Sequence, residues 1–86
     1  MNVHYSSQFK KQYRKLPKNT QEQFKKRFVL FVEDQTHAQL HVHKLVGEYK
    51  SLWSMNISGD IRAVFDVSFK DDILFVAIGS HSTLYS

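Results

Sequence analysis

The sequence predicts an α+β fold in which an N-terminal basic helical hairpin packs on one face of a small antiparallel sheet. Three observations carry this. Apolar side chains recur at helical spacing up to about residue 32, alternate one by one from residue 53 to 69, and form an unbroken run at 73–78. The chain has 86 residues, one proline, no internal repeat and no Gly/Ser-rich linker, so a single domain over residues 1–86 is expected. A domain of this size buries only roughly 60 to 65% of its unfolded surface. Seven Phe, four Tyr and one Trp must therefore supply much of the core.

Taken in order, Val3-His4-Tyr5 reads as a short opening strand, and Ser6 or Ser7 can cap a helix whose apolar positions are Phe9, Tyr13 and Leu16. Leu16-Pro17 ends that helix, because the residue before proline avoids the helical region. Asn19 followed by Glu22 has the spacing of a capping box, and Phe24, Phe28, Phe31 and Val32 form the next stripe, running to about Asp34. Two amphipathic helices joined so tightly form a hairpin, and its stripe needs an apolar surface to cover. Trp53, Met55 and Ile57 share one parity, as do Ile61, Ala63, Phe65, Val67 and Phe69, which is the pattern of half-buried strands. The run Ile73-Leu74-Phe75-Val76-Ala77-Ile78 is apolar on both parities and belongs inside the sheet, and the chain end after it reads as a last strand. A three-residue loop Ser58-Gly59-Asp60 with Ile57 opposite Ile61 would set Asn56 across from Arg62, both on the polar sheet face. An arginine there could equally pair with Asp66, two residues along on the same face.

Charge divides the chain. Up to Val32, eight Lys and Arg oppose Glu22 alone, a net +7, whereas the remainder nets −3. Such a one-sided field suits a polyanion or an acidic protein partner. With no cysteine, disulfide scaffolds, thiolate catalysis and Cys-type zinc sites are excluded. No apolar run reaches the roughly 18 to 20 residues a membrane span needs, and residues 1–5 lack a signal-peptide core, so a cytoplasmic protein without membrane contact is expected.

Chemistry must come from five histidines and the charged residues. His41-Val42-His43 could put two imidazoles on one side of an extended segment, but zinc would need a third ligand such as His37 or Asp60 and no fixed-spacing motif supplies it. No metal or other cofactor is expected, and His37 and His41 carry no role on composition alone. His81 stands apart: it closes the apolar run after Gly79-Ser80, near Arg62 and the basic segment 43–50. No GxSxG, P-loop or dinucleotide turn is present.

The run Lys44-Leu45-x-Gly47-x-x-Lys50, the stretch Trp53-Ser54-Met55-Asn56-Ile57-Ser58-Gly59-Asp60-Ile61-Arg62-Ala63-Val64-Phe65 and the ending Ile78-Gly79-Ser80-His81-Ser82-x-Leu84-Tyr85 together resemble the RelE/ParE superfamily of bacterial type II toxins. Within it, the YafQ and RelE/StbE mRNA interferases are most similar, over essentially the whole chain. That resemblance implies a metal-independent endoribonuclease that enters the ribosomal A site, cuts mRNA there and is silenced by a cognate antitoxin. His43, Asp60, His81 and Tyr85 match four positions of the YafQ site. Asn56 stands where that branch has a second histidine and Ile61 where it has tryptophan, while Arg62 matches the strand arginine of RelE proper.

Cleavage requires removal of the 2′-OH proton, neutralisation of the phosphorane and protonation of the leaving 5′-oxygen, giving a 2′,3′-cyclic phosphate. The implied roles are His43 as base, His81 as acid, Arg62 as phosphate clamp, Tyr85 for stacking or 2′-OH positioning and Asp60 for orientation. Lys44, Lys50 and Asn56 would contact RNA, and Lys10, Lys11 and Arg14 would dock the basic hairpin on ribosomal RNA. Two other readings share the fold: a ParE-like gyrase poison, which needs neither His81 nor Arg62, and a catalytically inactive RNA-binding member.

Overall fold

The computed structural model describes residues 2–45 and 51–85. Its elements are β1 (Asn2–Tyr5), α1 (Ser7–Arg14), α2 (Lys18–Glu33), a 3₁₀ turn (Ala38–Leu40), β2 (His43–Lys44), β3 (Leu52–Ser58), β4 (Ile61–Asp66), β5 (Asp72–Ser80) and α3 (His81–Tyr85). The strands form one sheet in the order β1-β5-β4-β3-β2. Pairing is antiparallel except between β1 and β5, which run parallel. The α+β architecture with a helical hairpin on one sheet face is as the sequence predicts, and β5 is an interior strand as its two-sided apolar run requires.

Ser6 joins the first strand to the hairpin. Its hydroxyl accepts from the Phe9 N–H at 3.0 Å, capping α1, and donates to the Val76 carbonyl at 3.0 Å. That carbonyl lies where the β4–β5 register shifts between Val64 and Phe65. Farther along β5, the Gln12 side chain accepts from the Ile78 N–H at 2.9 Å, so α1 takes over the strand edge that β1 leaves.

The capping box expected at Asn19 and Glu22 does not form. Pro17 is the N-cap of α2 and makes no side-chain cap bond; with φ already at −56° and no N–H to satisfy, it lets the helix begin at Lys18. Glu22 instead pairs with Lys25 at 3.5 Å, and Gln21 donates back to the carbonyls of Tyr13 and Leu16 at 2.9 and 3.2 Å. Phe24 and Phe31 are buried, but Val32, expected in the same stripe, is 51% exposed. One residue past Phe31 is about 100° round the helix, away from the sheet.

Cross-strand columns Trp53–Phe65–Phe75 and Met55–Ala63–Ile78 build the covered face. Phe75 is fully buried and its ring meets those of Tyr5, Phe9, Phe24, Phe28, Phe31 and Phe65 at centroid distances of 5.6 to 6.1 Å. Val67 and Phe69, expected to continue the alternation, are exposed because β4 stops at Asp66. There the Asp66 carboxylate accepts from the Ser68 N–H at 2.7 Å and from the Ser68 hydroxyl, turning the chain. The C-terminal segment, expected as a strand, is the short helix α3, capped where Ser80 Oγ accepts from the Thr83 N–H at 3.1 Å. Among the described residues no helix is long and apolar enough to cross a membrane.

Two outcomes follow for stability. Phe75→Ala is expected to cost about 3 to 5 kcal/mol, a large part of the roughly 5 to 15 kcal/mol available to a small domain, as measured by equilibrium urea unfolding. Burial alone would raise the Asp66 pKa, but the hydrogen bonds from Ser68 and Ser51 outweigh it and hold the carboxyl below its ordinary value. A carboxyl depressed in the folded state contributes stability above its unfolded pKa and loses it as pH falls through the folded value. Ser68→Ala removes one donor, so acid unfolding followed by circular dichroism should have its midpoint at higher pH than in the wild-type protein. An unmoved midpoint would show that Asp66 is not among the groups driving it.

Candidate active site

The sheet face opposite the aromatic core opens at the β3–β4 hairpin. Its turn holds two residues, Gly59 and Asp60, with Ser58 opposite Ile61, rather than a three-residue loop with Ile57 opposite Ile61. Gly59 at φ +43° takes the left-handed place that such a turn requires. A register shift between Asn56 and Ser58 then adds one residue to β3, which keeps Ile57 in the core and restores the expected pairing of Asn56 with Arg62. Arg62 does not pair with Asp66. Its Nη1 donates to the carbonyls of Gly59 at 2.8 Å and Ile61 at 3.2 Å, tying the guanidinium to the turn.

A second set of groups arrives from the segment after α2. Asp34 accepts from the Thr36 hydroxyl and N–H at 2.7 and 3.0 Å, and these bonds hold its carboxyl below the ordinary range. Arg27 donates to the Gln39 carbonyl at 3.0 Å and Leu40 is fully buried, so the 3₁₀ turn is fixed to α2 and to the core. His37 caps that turn, its Nδ1 accepting from the Gln39 N–H at 3.1 Å. His41 follows in a left-handed conformation, φ 45° and ψ 47°. Its carbonyl lies 2.9 Å from Nδ1 of His43. A carbonyl only accepts, so Nδ1 of His43 carries the proton and Nε2 of the neutral ring holds the lone pair. His43 pairs with Ser54, which places it on the Asn56–Arg62 side of the sheet.

His81 arrives from the opposite edge of the hairpin. Its N–H donates to the Asp60 carbonyl at 2.9 Å, joining the start of α3 to the β3–β4 turn. Leu84 lies over Gly79, where a Cβ would meet its side chain at 3.5 Å. Asp60 thus touches the His81 segment through its backbone carbonyl.

His41, Val42, His43, Asn56, Arg62 and His81 line one open hollow of about 410 Å³. Four residues singled out from sequence, His43, Asn56, Arg62 and His81, are therefore brought together. Among the described residues, Arg62 is the only permanently charged side chain of that lining, and no carboxylate belongs to it. Such a surface favours a phosphodiester: a fixed guanidinium beside imidazoles that can give or take protons. Asp60 and Lys44 are exposed and lie outside the lining, Lys44 because it pairs with Trp53 and alternates to the other face from His43. Lys50 and the side chain of Tyr85 lie outside the described residues. Lys10, Lys11 and Arg14 sit exposed on α1. Ile61 packs against the core on the covered face. His41 was missed because nothing in a lone sequence marks a histidine as left-handed. Among the described residues, no set of three His, Asp or Glu side chains could hold a metal ion.

The full chain, residues 1–86, matches the sequence profile of a family described as the bacterial toxin of a type II toxin-antitoxin system, YafQ. The chain belongs to the YafQ family of type II toxins. The fold of the toxin is shared by solved relatives. YafQ from Escherichia coli strain BL21(DE3) superposes with a TM-score of 0.83 at 18% identity, covering 99% of this chain and 98% of that one. The E. coli DinJ-YafQ toxin-antitoxin complex gives 0.81 at 19% identity, covering 99% and 97%. The RelB-RelE antitoxin-toxin complex of Methanococcus jannaschii gives 0.75 at 15% identity, covering 96% and 95%. No curated protein sequence matches the toxin significantly.

Proposed function

We propose that this toxin is a ribosome-dependent, metal-independent mRNA endonuclease, acting in the cytoplasm and held inactive by a cognate antitoxin like those of the DinJ-YafQ and RelB-RelE complexes. The observation that carries the reading is the hollow in which His43, Arg62 and His81, from three separate elements, surround one space. Nε2 of His43 takes the 2′-OH proton, the 2′-oxygen attacks the phosphorus, and Arg62 neutralises the phosphorane as it forms. His81 then protonates the departing 5′-oxygen, leaving a 2′,3′-cyclic phosphate. Asn56, directly across the ladder from Arg62, supplies a neutral donor and acceptor to the RNA backbone. Tyr85, Lys44 and Lys50 are assigned to stacking and backbone contacts with the RNA.

Docking is a separate task. Arg27 is occupied in holding Gln39, and the exposed Lys10, Lys11 and Arg14 of α1 are assigned to ribosomal RNA.

His81→Ala should lower mRNA cleavage in a translating extract by about 100- to 10,000-fold while the variant still folds, and EDTA that spares the ribosomes should leave wild-type cleavage in place. Cleavage within tenfold of wild type would overturn the acid assignment. Absence of any cutting by the wild-type toxin, with gyrase supercoiling blocked instead, would favour the ParE-like reading; with gyrase unaffected, it would favour an inactive RNA-binding member.

Replacing Lys10, Lys11 and Arg14 together by glutamine should weaken ribosome pelleting and flatten its salt dependence without moving the cut within the codon. Arg62→Gln should do the reverse, leaving pelleting nearly intact and slowing single-turnover cleavage, because its contact strengthens in the transition state.

A further inference from the structure

We propose that His41 is a positioning residue of the site: its left-handed backbone aims its carbonyl at Nδ1 of His43, holding that ring in the Nδ1–H tautomer with Nε2 as the proton-accepting nitrogen. The consequence for cleavage rests on the reading of His43 as base; the tautomer rests on geometry alone.

Only His41 and Asp71 have positive φ among the described non-glycine residues. The conformation at His41 is fixed from both sides. Before it, Leu40 is fully buried and the His41 N–H donates to the Ala38 carbonyl at 3.2 Å. After it, Val42 packs against the core and His43 enters the ladder opposite Ser54. Two residues must carry the chain from the end of a 3₁₀ turn into an edge strand, and one left-handed residue makes that reversal. Its peptide plane then faces back toward the His43 ring, giving the 2.9 Å contact. A strained backbone persisting beside a catalytic group, and making a specific bond to it, has the character of a built feature rather than of loop variation.

His37 provides an internal contrast. Its Nδ1 accepts from a backbone N–H, whereas that of His43 donates to a carbonyl. The two neutral rings, six residues apart in sequence, therefore carry their protons on opposite nitrogens. Chemically this matters because a base must present a lone pair, and a ring with Nε2 protonated would present a donor to the 2′-OH instead.

The test is long-range ¹H–¹⁵N NMR of the imidazoles of the full-length toxin, above the pH at which they are charged. His43 should show a protonated Nδ1 and an unprotonated Nε2, and His37 the opposite. A His43 protonated on Nε2 overturns the proposal. His41→Val, whose β-branched side chain resists the left-handed region, should lose the His43 signature and cut mRNA at least about tenfold more slowly at saturating ribosomes, with ribosome affinity within about threefold. His41→Asn tolerates that region and should recover both the signature and most of the rate. If His41→Val does not fold, the wild-type and His41→Asn spectra decide: a signature lost in His41→Asn overturns the proposal, and one kept in both supports it. If His41→Asn keeps the signature yet cuts no faster than His41→Val, the imidazole rather than the backbone is what cleavage needs, and the assignment fails. Should the wild-type toxin cut no mRNA at all, the proposed function fails while the spectra still decide the tautomer.

Discussion

The structure depends on one ring. Phe75 lies in the interior strand and meets aromatic rings from β1, α1, α2 and β4 at once, so the hairpin, the opening strand and the sheet share a single apolar contact. In a domain this small, surface to bury is scarce, and concentrating it on one side of the sheet is what makes the fold stable. The consequence is asymmetry. The covered face is saturated by Phe9, Phe24, Phe31, Phe65 and Phe75, while the other face buries Ser54 and Val64 and keeps Asn56 and Arg62 at its open end. The aromatic core takes nothing from that open end, which is how 86 residues can hold both.

Main-chain carbonyls tie down each side of the hollow. Arg62 leans on Gly59 and Ile61, His43 on His41, and the His81 backbone on Asp60. Each choice has the same electrostatic result. A carboxylate beside Arg62 would satisfy the guanidinium but would also repel a phosphodiester and offset its charge. A carbonyl orients the same group and leaves the net positive charge available to an anion. Turn geometry thus does the work that a second shell of acids does in many hydrolytic sites, and it explains why a two-residue hairpin, a strand irregularity and a left-handed histidine all cluster around one hollow.

Periodicity made most of this legible before any coordinates. The alternation from Trp53 to Phe65 fixes which side chains share the covered face, and because side chains alternate strictly, it also puts Asn56 and Arg62 on the other one. That inference survived an error in the turn, since the extra residue at Ile57 compensated for the shorter loop. What periodicity does not contain is backbone detail. Pro17 displaced the cap expected at Asn19, Asp66 stopped a strand whose apolar pattern continues through Phe69, and Ser80 started a helix where a strand was expected. In each case a short polar side chain or a proline settled the local conformation against the hydrophobic pattern. The site was legible where it follows from strand parity and illegible at His41, whose contribution is a carbonyl that every residue possesses.

This division also bears on how so little identity accompanies so close a fold. A TM-score of 0.83 at 18% identity requires that the core be specified by pattern and volume, which many sequences satisfy. Positions held by main-chain contacts are likewise tolerant, because the carbonyls that orient Arg62 and His43 persist whatever side chains flank them. The side chains left to vary are then those that face the open hollow. Asn56 and Ile61, which depart from the YafQ pattern, fall on opposite sides of this line: Ile61 has joined the core on the covered face, and Asn56 remains in the hollow beside Arg62. Of the two, only Asn56 can alter what the site recognises. In the mechanism proposed above, a carboxamide in place of a titratable ring would offer RNA the same donors and acceptors at every pH, and proton transfer would fall to the imidazoles carried by β2 and α3.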